Sequence, residues 1–254
     1  MALLLVAQLI ASSSARAITS PGSVPSDIDT IRSRYVLSVL PTNAAQIAHL
    51  RELSSEYANS LQPDGEWTDI AYNDNSRTTW GAAEHLDRTL VMAKMARLAQ
   101  IQQLPDESLN AKVLLALKAW TNRDPRNPNW WWNQIGVPEL IGGIATLMFP
   151  ELSKAELAKV VRIMMRSNWR RVPWTGANLI WGVEIEIVRG CLENNAATVA
   201  EGYERMYQEI KVVSPQEEGI QQDNSFHQHG AQLYSGGYGL FYANDVGRLR
   251  MSQP

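Results

Sequence analysis

The sequence predicts an all-α chain built from helical hairpins, and three observations carry that reading. Apolar residues recur at helical spacing in one segment after another of the 254-residue chain. No segment alternates apolar and polar residues as a half-buried strand would. Polar loops of roughly five to twenty residues separate the periodic segments, which gives the rhythm helix, loop, helix. With 45% hydrophobic and 19% charged residues, the chain can bury a sizeable core.

Residues 2–11 form an apolar run, followed by small residues and Ala15-Arg16-Ala17. That pattern resembles a secretory signal cleaved after Ala17, and the run is too short to span a bilayer. It predicts a secreted or periplasmic protein with no membrane partner. Residues 18–26, with Pro21, Gly22 and Pro25, read as a linker into one helical domain over 27–254. Asp27 is placed to cap a helix over 28–40. A second helix over 44–61 puts Ile47, Leu50, Leu53 and Tyr57 on one face. The Pro63-Asp64-Gly65 turn leads into a polar loop and then a long helix over 80–103. His85 lies within it, and a lone helical histidine is more often structural than catalytic. Further helices are expected over 107–122, 135–148, 154–168, 177–192, 196–213 and 239–249. Ser153 and Glu156 have the spacing of a capping box. Arg162, Arg166, Arg170 and Arg171 read first as a solvated basic face and second as part of a patch for a polyanion.

Composition narrows the function classes. A net charge of −3 gives no general basic field to draw in nucleic acid, so an acidic ligand needs a local positive patch. The single cysteine, Cys191, excludes a disulfide within the chain and reads as a small buried hydrophobe. Glu184 and Glu186 lie two apart on a helix, so they cannot face one substrate as a carboxylate pair.

Three polar stretches carry chemistry. In NWWWNQIGVP, Trp130, Trp131 and Trp132 cannot all face one core, because successive positions diverge. An exposed indole between Asn129 and Asn133 suits a sugar, whose apolar face stacks on the ring while amides reach its hydroxyls. The alternative is a tight aromatic corner between helices. In TGANL, Asn178 sits in the first turn of a helix, where its amide could bind a carboxylate or simply cap. The stretch from Gly219 to Gly239 holds Asp223, His227, His229, Tyr234 and Tyr238 among five glycines. A histidine and a tyrosine can move protons near neutral pH without a metal. The bland reading of the two histidines is one exposed and one hydrogen-bonded in a core. On the residues alone, Tyr234 and Tyr238 are both candidates for the base.

With NWWWNQIGVP, TGANL and DNSFHQHGAQLYSGGYG in this order, the chain resembles polysaccharide lyase family 8, the family of chondroitin AC, hyaluronate and xanthan lyases. The resemblance runs from about Trp67 to the C-terminus. It implies an incomplete (α/α) toroid whose cleft binds an acidic polysaccharide, with no cofactor and no metal, and a monomer. It implies β-elimination beside a uronic acid. Asn178 would neutralise the uronate carboxylate, His229 would assist at C5, and Tyr238 would act as base and then as acid. Trp130 and Trp131 would carry sugar rings. Members of the family continue well past the position of Pro254, completing the toroid and adding β-sandwich domains. A catalytic arginine and a supporting glutamate lie in that continuation, and no arginine of this chain matches that context. The resemblance is thus to the N-terminal portion of a lyase, and it predicts an uncovered apolar side on the last helix. A binding module that keeps the cleft without catalysis is the second reading. A glycoside hydrolase is the third, and it needs two facing carboxylates where the third motif offers only Asp223.

Overall fold

A computed structural model describes residues 26–254. The predicted signal segment, and all but the last residue of the predicted linker, lie outside the described residues. Nine α-helices occur among them: α1 Asp27–Val39, α2 Ala44–Ser60, α3 Glu84–Ile101, α4 Glu107–Arg123, α5 Val137–Leu147, α6 Lys154–Met164, α7 Gly176–Leu192, α8 Ala196–Glu209 and α9 Leu240–Ser252. The contacts sort them into two rows. Helices α3, α5 and α7 touch in succession, and α7 continues to α9. Helices α4 and α6 touch behind them, while α2 backs α3 and α8 backs α7. Helix α1 lies against α5, α7 and α9. Paired inner and outer helices form the incomplete (α/α) toroid that the resemblance implies.

Short polar residues start the helices. Asn43, Asp106 and Asn195 each accept a backbone N–H in the first turn of α2, α4 and α8. Ser153 and Glu156 complete the capping box of α6. The first cap differs from expectation: Ser26 accepts from Asp29 N, and Asp27 is the first helical residue. Two helices also stop early. Helix α6 ends at Met164, after which Ser167 and Asn168 turn the chain towards Pro173. Helix α8 ends at Glu209, and Val212 and Val213 then join Ile220 through a bridge and a backbone hydrogen bond. A short antiparallel pair, β1 Gly219–Ile220 with β2 Phe226–His227, is an element the apolar pattern did not indicate. At two residues each, these strands are too short to show alternation.

Helix α7 is the axis of the described fold. Most of its residues are buried, and its charges are all paired. Glu186 binds Arg170 and Arg189, while Glu184 binds Arg248 and the Tyr35 hydroxyl. The carboxylate pair that the sequence argued against is thus committed to structure. Helix α8 approaches closely because residue 202 is glycine; a β-carbon there would sit 2.5 Å from Ile187 Cγ1. Cys191 is buried, and burial pushes its thiol up to about 11. On α9, Leu240, Phe241 and Met251 are exposed, Met251 by 74%, so the predicted uncovered apolar side is present. No helix among the described residues is long and apolar enough to cross a membrane.

Candidate active site

The third motif is pinned to the start of α7 by one buried side chain. Gln228 is 0% exposed, and its amide oxygen accepts from Ala177 N at 3.0 Å. Its amide nitrogen donates to Glu218. The same carboxylate accepts from Thr175 Oγ1 at 2.6 Å and from Gly230 N at 3.0 Å. Gly176 makes this possible: its φ is +55°, and a β-carbon there would overlap the Gln228 amide oxygen. Gly176 N donates to Glu209 at 2.7 Å. The TGANL and FHQHG stretches, some fifty residues apart (|i−j| = 51 for Ala177 and Gln228), are therefore one polar knot.

This knot sets the candidate catalytic groups. Glu209 and Gln228 take the first two N–H groups of α7. Asn178 does not cap: Thr175 is the N-cap, and Asn178 Oδ1 is buried without a partner. Its amide is half-buried and uncommitted among the described residues. His227 is half-buried in β2. His229 is exposed and has φ +59°, a left-handed conformation that is sparsely populated for residues with a side chain. That backbone turn brings its Nε2 to 3.2 Å from the Tyr238 hydroxyl. Tyr238 sits in a π-helical turn, Ser235–Gly239, that opens α9. Such wide turns recur at functional sites. Burial first, then Tyr234 and Glu218, raises the Tyr238 phenol above its ordinary range. Tyr234 lies edge-on to Tyr238 at 5.0 Å and to His229 at 6.1 Å, so only Tyr238 makes the hydroxyl–imidazole contact. Asp223 accepts from Ser225 N at 3.0 Å and holds a turn, with no second acid facing it in the motif.

An aromatic row joins this pair to the tryptophans. Trp181, on α7 and three residues after Asn178, lies 5.7 Å from Tyr238 and 5.9 Å from Trp131. Residues three apart on a helix share a face, so Asn178 borders the same row. Trp131 meets Trp132 edge-on at 5.1 Å. Trp130, 43% exposed, stacks on Trp174 at 5.7 Å with 29° between the rings. The required exposure of one indole is thus met by Trp130, with Trp131 and Trp132 half-buried. A π-helical turn, Trp132–Gly136, carries the end of this motif as well. The two flanking amides also serve the loop. Asn129 accepts from Trp131 N and donates to Arg77 O; Asn133 accepts from Asn127 N and donates to Asn127 O and Asn129 O. Both hold the loop that aims the indoles.

Gln228, Glu218 and Trp181 are the site residues that the sequence did not reveal. Trp181 carried a signal, a lone aromatic on an otherwise aliphatic helix in register with Asn178. Gln228 and Glu218 gave none. Among the described residues no three His, Cys, Asp or Glu side chains gather in metal-binding geometry.

Comparison with known proteins follows the same lines. The family model for the polysaccharide lyase family 8 N-terminal alpha-helical domain matches residues 37–251. The chain is 28% identical over 208 residues to a chondroitinase-AC of Pedobacter heparinus, covering 80% of this chain and 29% of that protein. It is 26% identical over 216 residues to a hyaluronate lyase of Thermasporomyces composti, covering 81% of this chain and 27% of that one. A chondroitinase AC lyase solved in complexes with oligosaccharide superposes with a TM-score of 0.79 at 26% identity, covering 88% of this chain and 33% of that chain. The chain spans less than a third of the length of the two lyases aligned by sequence. With the helical domain matched from 37 to 251, the chain belongs to polysaccharide lyase family 8.

Proposed function

We propose that this chain carries the proton-transfer half of a polysaccharide lyase site that cleaves a uronate-containing polymer by β-elimination. The polymer is a glycosaminoglycan such as chondroitin or hyaluronan, or xanthan. The observation that carries the reading is the 3.2 Å contact between His229 Nε2 and the Tyr238 hydroxyl, with Tyr238 against Trp181 on the helix face that Asn178 shares. Asn178 donates to the uronate carboxylate and spreads the charge that develops when C5 loses its proton. Tyr238 takes that proton. The freed electron pair forms the C4–C5 double bond as the C4–O bond breaks, and the proton passes to the leaving oxygen. No water is consumed. A phenol held above its ordinary range is a good donor to the leaving oxygen and a poor base unaided. The His229 imidazole, at hydrogen-bond distance from the phenol, can share its proton and so assists the first step. Trp130 and Trp131 carry neighbouring rings, and the leader-like sequence over 1–17 supports a place of action outside the cytoplasm.

One observation favours a second reading, a binding module without catalysis. Burial, Tyr234 and Glu218 all raise the proton affinity of Tyr238. Incubation with chondroitin, read by the ultraviolet absorbance of the 4,5-unsaturated uronate, separates the two. Elimination predicts a gain in absorbance that Tyr238→Phe abolishes while polymer binding stays nearly intact. Near-normal turnover by Tyr238→Phe removes the assignment, and binding without any absorbance gain selects the module.

A further inference from the structure

Beside the tryptophan platform lies a cleft of about 440 Å³ that the elimination chemistry does not use. Two loops line it, and they are the loops that carry the Trp130–Trp174 stack. One contributes Asn133 and Gln134, from the π-helical turn after the tryptophans; the other contributes Arg166, Asn168 and Arg171, which run on to Trp174. Arg126 closes the end. Three guanidinium groups thus share one small cleft on a chain whose net charge is −3.

Their own counter-charge is insufficient. Arg126 and Arg166 both pair with the single carboxylate of Asp124, Arg126 at 3.4 Å. Arg171 forms no ion pair among the described residues. One negative charge against three positive ones leaves the cleft net cationic. Arg166 Nη1 adds a second observation: it is buried with no hydrogen-bond partner. A buried cationic donor left unpaired is costly, so Asp124 alone does not satisfy the Arg166 guanidinium. The amides of Gln134 and Asn168 form no side-chain hydrogen bond among the described residues. Met165 and Val172 add apolar surface.

We propose that this cleft is an anion subsite for a sugar residue one or more rings from the one that reacts, taking its sulfate ester or its carboxylate on the Arg126, Arg166 and Arg171 guanidinium groups. Both anions suit the planar fork of arginine. The free amides meet ring hydroxyls, and Met165 and Val172 take the apolar face of the ring. The basic run in the sequence is therefore divided. Arg170 is spent on Glu186 and Glu201, while Arg166 and Arg171 turn to the cleft. The proposal rests on the reading that the chain binds an acidic polysaccharide.

Calorimetric titration of the whole chain with a chondroitin 4-sulfate hexasaccharide and with its unsulfated counterpart tests it. Arg126 and Arg171 are exposed, so the double variant Arg126→Gln, Arg171→Gln keeps the fold. Loss of two charge-assisted contacts weakens affinity by about tenfold or more. A loss confined to the sulfated sugar assigns the sulfate ester; an equal loss on both assigns the carboxylate. Arg162→Gln, an exposed arginine outside the cleft, leaves both affinities in place. If Arg162→Gln weakens binding as much as the double variant, the effect is general charge and the subsite is overturned. Unchanged affinity in the double variant while Trp131→Ala weakens binding overturns the subsite and leaves the polysaccharide reading standing. Absence of binding by the unaltered chain overturns both.

Discussion

Both side-chain polar atoms of Gln228 are spent inside the protein, and that makes it the residue on which the site geometry depends. Its amide joins Ala177 N to the Glu218 carboxylate, and Glu218 reaches on to Thr175 and Gly230. Replacing it with Leu leaves a buried N–H and a carboxylate short of a donor, at a cost of about 1–3 kcal/mol. Urea unfolding is expected to show that loss, with polymer binding falling alongside; a neutral Gln228→Leu would mean the knot does not hold the site. His85 makes a second residue-scale prediction. It is buried, its Nε2 donates to Ala116 O at 2.9 Å, and its Nδ1 accepts from Tyr72 OH at 2.9 Å. Burial pulls it down from 6.5 to about 4. Between those values the unfolded chain binds the extra proton and the folded one does not. Stability from this group is thus complete above pH 6.5 and is lost as pH falls towards 4, by about 3 kcal/mol in total. Thermal melts across that window are expected to show the loss, and its absence in His85→Gln identifies the source. The sequence made His85 legible as structural, because a lone histidine on an apolar helix needs only a core partner. Gln228 was not legible, since its partners are set by a glycine with positive φ and a glutamate from other segments.

At the scale of the element, α7 and α9 decide whether the site exists. Helix α9 is tied to α7 by Arg248, which reaches both oxygens of Glu184 at 2.5 and 2.6 Å and Asp245 at 2.8 Å. Asp245 in turn accepts from the Trp181 indole at 3.0 Å, so the same bridge holds the aromatic row against Tyr238. Burial first, then the Glu184 and Asp245 carboxylates, holds nearby Glu139 well above the ordinary carboxylate range, which limits the negative charge facing one arginine. Arg248→Leu leaves Glu184 buried without its cation and costs about 3–5 kcal/mol. A smaller loss, within about 1 kcal/mol in denaturant titrations, would place this bridge with weak surface pairs. The start of α6 was readable because Ser153 and Glu156 cap it by local hydrogen bonds. Helix ends were less so. Met165 and Arg166 are good helix formers, and tertiary packing alone turns the chain there. The two π-helical turns were invisible, because a wide turn differs from an α-turn only by the residue its carbonyl reaches.

Across the whole molecule, the paired rows of helices bring the loops before α5, before α7 and before α9 together, and each loop carries one of the three motifs. The helices were legible from apolar periodicity alone. The meeting of the loops was not, because it depends on which helices stack, and the order of the motifs supplied it through resemblance. The central claim is that an amide, an imidazole and a phenol face one uronate beside the tryptophans. A crystal structure of the chain with an unsulfated chondroitin tetrasaccharide tests it most directly. The account predicts a uronate carboxylate on the Asn178 amide, C5 of that ring facing the Tyr238 hydroxyl, and a neighbouring ring on Trp130 or Trp131. A tetrasaccharide seated elsewhere, or a uronate that meets Asn178 with Tyr238 turned away, would contradict it.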